Sequence, residues 1–379
     1  MDMKDKAVSL FSTGSIGRVE LRNRMLMPPV NTNYGDEQGF VTDKAIGFYR
    51  KRAAGGVGGL ILEAMQVDPL SKIVVREMGV YDDLFVEGLH KLAEVIHSEG
   101  AKAFVQLNHG GPKAAYELNG VQCTSASSIP VKKDNIPRPL EVPEIQRIVA
   151  LHADAAQRVQ QAGFDGVELQ ACHFYLLSAF LSGYLNRRID DYGGTTANRC
   201  RFVVEIIEAV KARCGRDFPV IVRINAFEDI DRGISAEEGQ QISRILESAG
   251  ADAIHASAAA HPVNPDIEHL FELKVGGAPP REAPPGCFSP LAEGIKRCVR
   301  IPVITVGKIL EPATASEIIN QGQADFVALG RALIADPELP NKAARGADDA
   351  IVSCCECRVC HTSMQQKGDL VCAVNPNLY

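Results

Sequence analysis

Eight short apolar runs recur along the 379-residue chain, and helical patterns separate most of them. The runs show little polar alternation, which is typical of strands buried on both faces of a parallel sheet. Eight such β-α units in one chain predict an α/β fold, a (β/α)8 TIM barrel, while a doubly wound sheet fits this length less well. The runs occupy residues 24–30, 58–65, 102–107, 163–171, 218–225, 251–258, 301–307 and 324–330, with helical spacing clearest at 86–100, 142–163 and 234–250.

Charge and hydropathy exclude several classes of partner. The net charge is -7 and no basic run stands out, which argues against nucleic acid and anionic membranes as partners. No apolar stretch approaches the roughly 20 residues that a membrane-spanning helix needs. The N-terminus is charged early and lacks the apolar core of a signal peptide. We therefore predict a cytoplasmic protein, and a homo-oligomer is compatible with these features.

The cysteines divide into scattered and clustered sets. Six of the eleven stand singly, and five lie near the C-terminus. Among the five, Cys354, Cys357, Cys360 and Cys372 follow the spacing C-x2-C-x2-C-x11-C. Four thiolates can hold an iron–sulfur cubane or a structural zinc ion, and the spacing alone leaves both readings open. The sequence therefore predicts a barrel over 1–345 followed by a cysteine-rich metal-binding segment over 346–379.

Polar residues follow the predicted strands at their C-terminal ends, where TIM barrels carry their chemistry. After the seventh and eighth strands, "TVGKI" and "ALGRA" each place a glycine before a basic residue. Glycine lets the backbone approach a ligand, and the basic side chains favour an anion, so we predict a phosphate site here. A pair of tight turns with solvated basic side chains is the structural alternative. The polar residues at strand ends are Gln106, His109, Gln170, His173, Tyr175, Arg223, Asn225, His261, Lys308 and Arg331.

Several stretches resemble the old yellow enzyme family of FMN-dependent oxidoreductases. They lie at 23–30, 105–111, 163–194, 198–202, 222–225 and 328–339, and the block at 163–194 is the most specific. The resemblance implies that residues 1–345 hold FMN in the barrel mouth, with Arg223 near N1 and the C2 carbonyl of the flavin and Gln106 at its pyrimidine edge. It places Met27, Pro28, Pro29 and Ala64 beside the flavin ring, and Gly307, Lys308, Gly330 and Arg331 around its phosphate.

The same resemblance implies an ene-reductase activity on a small unsaturated carbonyl compound, acid or thioester. Tyr175 lies at the family position of the proton donor, and His261 matches a histidine that works beside it in the 2,4-dienoyl-CoA reductase branch. In many family members a His/His or His/Asn pair binds the substrate carbonyl. Here the pair is Gln170 and His173, and a neutral glutamine amide can still donate a hydrogen bond.

The cysteine-rich tail resembles the iron–sulfur branch of the family. That resemblance favours a [4Fe–4S] cluster on Cys354, Cys357, Cys360 and Cys372 over zinc, with Cys355 as an additional thiol. No G-x-G-x-x-G motif follows before the chain ends at Tyr379, so we expect an electron-donor protein or a nucleotide-binding part outside this chain. Two alternatives stay open, an amine or demethylating dehydrogenase that exports electrons through the cluster, and a non-catalytic electron-transfer subunit.

Overall fold

Eight parallel strands close into a barrel in the computed structural model, which describes residues 8–131, 135–259, 279, 281–366 and 368–379. The strands follow one another around the barrel in chain order, and the eighth pairs with the first. The predicted (β/α)8 TIM barrel is confirmed. The strands are β1 (Met25–Met27), β2 (Gly59–Gln66), β3 (Lys102–Asn108), β4 (Gly166–Ala171), β5 (Val220–Glu228), β6 (Ala253–Ala259), β7 (Val303–Thr305) and β8 (Phe326–Ala328).

Helices connect successive strands on the outside of the barrel, and further helices follow the last strand. Three of them begin where the sequence offers a capping hydroxyl, because Thr42, Thr195 and Ser235 each accept a backbone N–H of the first helical turn. The helices are α1 (Asp43–Ala54), α2 (Val86–Ser98), α3 (Val142–Gln161), α4 (Thr196–Cys214), α5 (Ala236–Ser248), α6 (Ser289–Lys296), α7 (Pro312–Asn320), α8 (Gly330–Ala335), α9 (Leu339–Ala344) and α10 (Val359–Gln365). The helices predicted at 86–100, 142–163 and 234–250 are confirmed as α2, α3 and α5.

The barrel interior is packed solid towards the N-terminal ends of its strands. Ile61, Phe104 and Phe326 are fully buried in one apolar cluster there. A hairpin of strands Gly14–Ile16 and Val19–Leu21 contributes Ile16 and Leu21 to the same cluster. This packing closes one end of the barrel, so any ligand site between the strands has to lie at the other end.

Short elements lie in the segments that join these strands and helices. They are the helices Tyr116–Asn119 and Leu176–Leu181, the 3-10 turns Asp83–Phe85, Gly111–Lys113 and Asp348–Ala350, and the paired strands Thr124–Ser125 and Arg138–Pro139. Of all the helices in the described part of the chain, none is both long enough and apolar enough to cross a bilayer.

The C-terminal residues pack against α1 and the loop after β1. The Leu370 N–H donates to the Thr32 carbonyl at 2.9 Å, and the Tyr34 hydroxyl donates to the Leu370 carbonyl at 2.7 Å. The buried guanidinium of Arg52 on α1 donates to the Leu378 carbonyl at 2.8 Å. These contacts hold the chain on both sides of Cys372 against α1 and the loop after β1.

Candidate active site

A cavity of about 720 Å³ opens at the C-terminal ends of the strands. Most residues that the sequence predicts for the site meet in its wall. Met27 and Ala64 are buried but do not line it, and His261 lies outside the described residues. The predicted residues in the lining are Pro28, Pro29, Gln106, Gln170, His173, Tyr175, Arg223, Gly307, Lys308, Gly330 and Arg331.

Three polar atoms in the cavity wall are buried and lack a hydrogen-bond partner among the described residues. They are Nε of Arg223, Oε1 of Gln170 and Nη2 of Arg331. Leaving such groups unpaired costs roughly 1–3 kcal/mol each, and more for charged groups, so native structures rarely tolerate it. The donors on two arginines and the amide oxygen of Gln170 fit a polar, partly anionic ligand, as FMN would be.

The end of the cavity beside β7 and β8 carries the predicted phosphate site. Gly307 has a φ of 117°, and a Cβ at this position would lie 2.6 Å from the ring of Phe288, so only glycine fits there. Lys308 and Arg331 are both largely buried. Glu356, from the cysteine loop, faces them, with its Oε2 3.4 Å from Lys308 Nζ and 3.7 Å from Arg331 Nη1. No pattern in the sequence indicated that an acidic side chain would reach this site.

Behind Gln106 lies a buried network that the sequence analysis missed. Nε2 of Gln106 on β3 donates to Oε1 of Glu168 on β4 at 2.7 Å, and Nδ1 of His255 on β6 lies 2.6 Å from Oε2 of the same carboxylate. Glu168 and His255 are fully buried, and Gln106 is 1% exposed. A charged residue inside a predicted buried strand, as in "GVELQA", was the available signal, because a carboxylate is seldom buried without partners.

Tyr175 follows β4 and has a cation beside its ring. Burial raises the pKa of Tyr175 above its usual value, Glu77 and Cys172 raise it further, and Arg223 opposes them. Nζ of Lys113 lies 4.4 Å from the centre of the Tyr175 ring, at a distance typical of a cation–π contact. The phenol therefore stays protonated at neutral pH, as a proton donor must. Lys113 was also missed, although it lies only two residues beyond the stretch at 105–111 that resembles the family.

The two residues predicted to grip a substrate carbonyl differ in their partners. The His173 backbone has a φ of 55°, and its N–H donates to Oδ1 of Asn225 at 2.9 Å. Its Nε2 lies 2.8 Å from the Ser257 hydroxyl. Burial lowers the pKa of His173 well below its usual value, and the charge of Arg223 adds to this, so the ring is neutral. Gln170 keeps an unpartnered atom in the cavity, whereas His173 is bonded to β6.

Three of the four predicted cysteine ligands influence one another electrostatically. Burial raises the pKa of Cys360, and Cys354 and Cys372 raise it further. The pKa of Cys357 is lowered, first by a backbone hydrogen bond from Val359 and also by hydrogen bonds from Cys355 and the Ala373 backbone. Within the described ranges no three His, Cys, Asp or Glu side chains converge on a single metal ion. Of the four predicted ligands, Cys360 lines the cavity.

The fold and the site define a TIM barrel whose mouth holds a polar cavity, with basic side chains after β7 and β8. Residues 9–350 match the NADH:flavin oxidoreductase / NADH oxidase family, and the chain belongs to this family. The resemblance to the old yellow enzyme family that the sequence predicts is thereby confirmed.

Two curated relatives and one solved structure match nearly the whole chain. The NADH oxidase of Thermoanaerobacter brockii is 42% identical over 373 residues, which cover 97% of this chain and 56% of that protein. The cinnamate reductase of Clostridium sporogenes is 31% identical, covering 99% and 58%. The structure of a 2-naphthoyl-CoA reductase in complex with 2-naphthoyl-CoA has a TM-score of 0.90 at 29% identity, covering 98% and 57%. The chain thus spans little more than half the length of these proteins.

Proposed function

We propose that this chain is the FMN-binding part of an enzyme that reduces the C=C bond of an α,β-unsaturated carbonyl compound, acid or thioester. The observation that carries the proposal is the placement of Tyr175 in one cavity with the unpartnered donors of Arg223 and Arg331. Two relatives point the same way, since one is named a cinnamate reductase and another a 2-naphthoyl-CoA reductase.

The residues of the cavity suit FMN along its whole length. Lys308, Arg331 and the backbone at Gly307 and Gly330 would hold the phosphate. Gln106 and Arg223 would bind the pyrimidine end, with Arg223 stabilising negative charge near N1 when the flavin is reduced. Bound FMN supplies the hydride that the β-carbon of the substrate accepts.

Protonation of the substrate falls to the chain's own side chains. Tyr175 is the proton donor to the α-carbon, and the Lys113 ammonium beside its ring stabilises the phenolate that the transfer leaves behind. Gln170 and His173 bind the activating carbonyl and take up its developing negative charge. His261 would assist Tyr175 in this step, and this role is proposed from the family resemblance alone.

The cysteine-rich segment would hold a [4Fe–4S] cluster on Cys354, Cys357, Cys360 and Cys372. When bound, such a cluster passes electrons one at a time, which a flavin can combine into a two-electron reduction. The electrons would come from a partner protein or from a nucleotide-binding part outside this chain. Residues 1–345 then form the FMN barrel, and 346–379 form the segment that carries the cluster.

The test begins with anaerobic purification of the full chain, followed by its visible spectrum and its FMN, iron and sulfide content. The chain, reduced with dithionite, is then mixed in a stopped-flow instrument with cinnamate, an enone or an enoyl thioester. We expect flavin reoxidation to coincide with loss of the alkene. Flavin reduction by amines, with no oxidation by any enoate, would establish the amine dehydrogenase alternative instead. Redox cycling with a partner protein, without reaction with any small substrate, would establish the alternative of a non-catalytic electron-transfer subunit.

A further inference from the structure

The buried carboxylate of Glu168 is the centre of a hydrogen-bond network that spans the barrel interior. Its two oxygens meet Nε2 of Gln106 at 2.7 Å and Nδ1 of His255 at 2.6 Å. Gln106 and Glu168 are direct neighbours in the pairing of β3 with β4, whereas His255 comes from β6, beyond β5. A carboxylate this deeply buried is stable only if good partners surround it, and both partners here are in hydrogen-bond range.

The chemistry of this contact fixes which way the Gln106 amide points. A side-chain amide has a donor end and an acceptor end, and it can usually turn either of them towards a neighbour. An ionised carboxylate can only accept. Glu168 therefore compels Gln106 to turn its NH2 group inward, which leaves the amide oxygen for a ligand in the cavity that Gln106 lines.

His255 holds the carboxylate in the position that this requires. Its Nδ1 lies 2.6 Å from the oxygen that does not contact Gln106, and because a carboxylate oxygen accepts, the imidazole is the donor. With one oxygen anchored on β6, the other is directed at β3, so the Glu168 side chain cannot rotate away from the amide. Neither Glu168 nor His255 lines the cavity, so each would act on a ligand only through Gln106.

We propose that Glu168, anchored by His255, is a positioning residue that presents the Gln106 carbonyl oxygen as a hydrogen-bond acceptor to the N3–H group of the flavin. The inference rests on the proposed function, because it requires FMN in the cavity. N3–H is the one donor at the pyrimidine edge of an oxidised flavin, and the carbonyl groups on either side of it are acceptors. A glutamine free to turn would present its NH2 group about as readily and would lose this pairing.

The test compares two ligands on the full chain, purified anaerobically, freed of flavin and titrated by fluorescence quenching. The ligands are FMN and 3-methyl-FMN, in which a methyl group replaces the N3 hydrogen. In the wild-type chain we expect blocking N3–H to weaken binding about tenfold, the order expected for one buried hydrogen bond. The measured quantity is the ratio of the two dissociation constants.

Glu168→Gln is the decisive variant, since a glutamine at 168 keeps the size but no longer dictates the orientation of the Gln106 amide. In this variant we expect the dissociation constant of 3-methyl-FMN, divided by that of FMN, to fall at least about threefold relative to wild type. The reason is that the variant has already lost part of the hydrogen bond to N3–H, so the methyl group has less to remove. Thr305→Val is the matched control, since Thr305 is a buried barrel residue of β7 outside the network, and its hydroxyl has no partner among the described residues. It should keep the wild-type ratio.

The possible results separate the two proposals. A Glu168→Gln ratio equal to that of wild type and Thr305→Val would overturn the inference while leaving FMN binding intact. A wild-type chain that binds neither ligand would overturn the proposed function and the inference with it. Should Glu168→Gln fail to fold, the N3–H resonance of 15N-labelled FMN on the wild-type chain decides the question. A downfield, exchange-protected proton supports the inference, and a signal like that of free FMN refutes it.

Discussion

The carboxylate of Glu356 lies 3.4 Å from the ammonium of Lys308, so the cysteine loop reaches the site predicted for the flavin phosphate. The Arg331 guanidinium is 3.7 Å from the same oxygen. Glu356 stands between Cys355 and Cys357, and its φ of 53° lies in the left-handed region that non-glycine residues seldom adopt. The loop that carries the thiols is therefore in electrostatic contact with the cations that would bind the cofactor.

Replacement of Glu356 by glutamine should tighten FMN binding. The carboxylate partly neutralises Lys308 and Arg331, so removing its charge makes the site more favourable for a phosphate. We expect the dissociation constant to fall about 3–10-fold at low ionic strength, with a smaller change in high salt. Fluorescence titration measures this, with Glu208→Gln on the exposed face of α4 as the control. Equal affinities for the two variants would contradict the electrostatic argument.

Replacement of Tyr175 by phenylalanine should separate the two halves of the reaction. Loss of the hydroxyl removes the proton donor but none of the side chains that would hold the flavin. Alkene reduction is expected to slow by about 10²–10⁴-fold, the usual contribution of a positioned general acid. Flavin reduction by dithionite or by a donor protein should keep its wild-type rate. Stopped-flow measurement of both half-reactions is the check, and unchanged alkene turnover would remove Tyr175 from the mechanism.

Replacement of Lys113 by methionine should weaken Tyr175 as an acid. Without the cation 4.4 Å from the ring, the phenolate is less stable and its formation costs more. Alkene turnover should fall about tenfold, and the upper limb of its pH profile should move to higher pH, since the phenol would ionise less readily. Lys113→Arg retains the positive charge and should restore most of the rate. Identical pH profiles for the two variants would show that the charge of Lys113 has no part in the acid step.

The four predicted cluster ligands can be distinguished from the additional thiol beside them. Cys355→Ser should purify with wild-type iron and sulfide, whereas Cys357→Ser should lose most of both, because a cubane needs its full set of protein ligands. Both residues are exposed and lie on the same loop, so the comparison controls for local disturbance. Iron and sulfide assays with the visible spectrum measure the outcome. The reverse result would move the ligand set to include Cys355.

Glu77 should make the chain less stable as the pH rises. Burial raises the pKa of this carboxyl from 4.5 to about 8. A raised pKa means that the folded chain favours the protonated form, so the stabilisation is complete below about pH 4.5 and is lost as the pH rises through about 8. Burial likewise raises the pKa of Glu63 to about 7, so the loss between pH 7 and 8 belongs mainly to Glu77.

Urea unfolding at a series of pH values tests this assignment. From pH 5 to pH 8 the Glu77 contribution to the unfolding free energy should decline by on the order of 2–4 kcal/mol. Glu77→Gln should flatten the decline, and its amide can pair with Asn108, whose Oδ1 has no partner among the described residues. Wild type and variant losing stability in parallel would show that another group is responsible.

Local sequence was informative wherever structure depends on residues close in the chain. The spacing of apolar residues predicts the strands β1 to β8 and the helices α2, α3 and α5. This works because the local backbone conformation of a strand or helix sets which side chains share a face. Gly307 before Lys308, and Gly330 before Arg331, could likewise be read as an anion site, since a glycine and its neighbour act together in one turn.

Contacts between residues that are far apart in the chain could not be predicted from local sequence. Gln106 and Glu168 are 62 residues apart, and Glu168 and His255 are 87 apart. Lys113 reaches the Tyr175 ring from the loop after β3, and Glu356 reaches Lys308 from the tail. No periodicity relates such pairs, because their separation along the chain carries no information about which side chains share the barrel interior.

The sequence by itself determined the barrel, the glycine and basic residue in the turns after β7 and β8, and the thiols near the C-terminus, because each depends on residues that are close in the chain. Only the tertiary structure decided that Glu168 and His255 lie behind Gln106. It also decided that Lys113 lies over the Tyr175 ring and that Glu356 faces the two basic residues predicted to bind the phosphate. Closing the sheet brings the ends of eight strands to one mouth, and that closure, rather than any local pattern, sets which charges meet there.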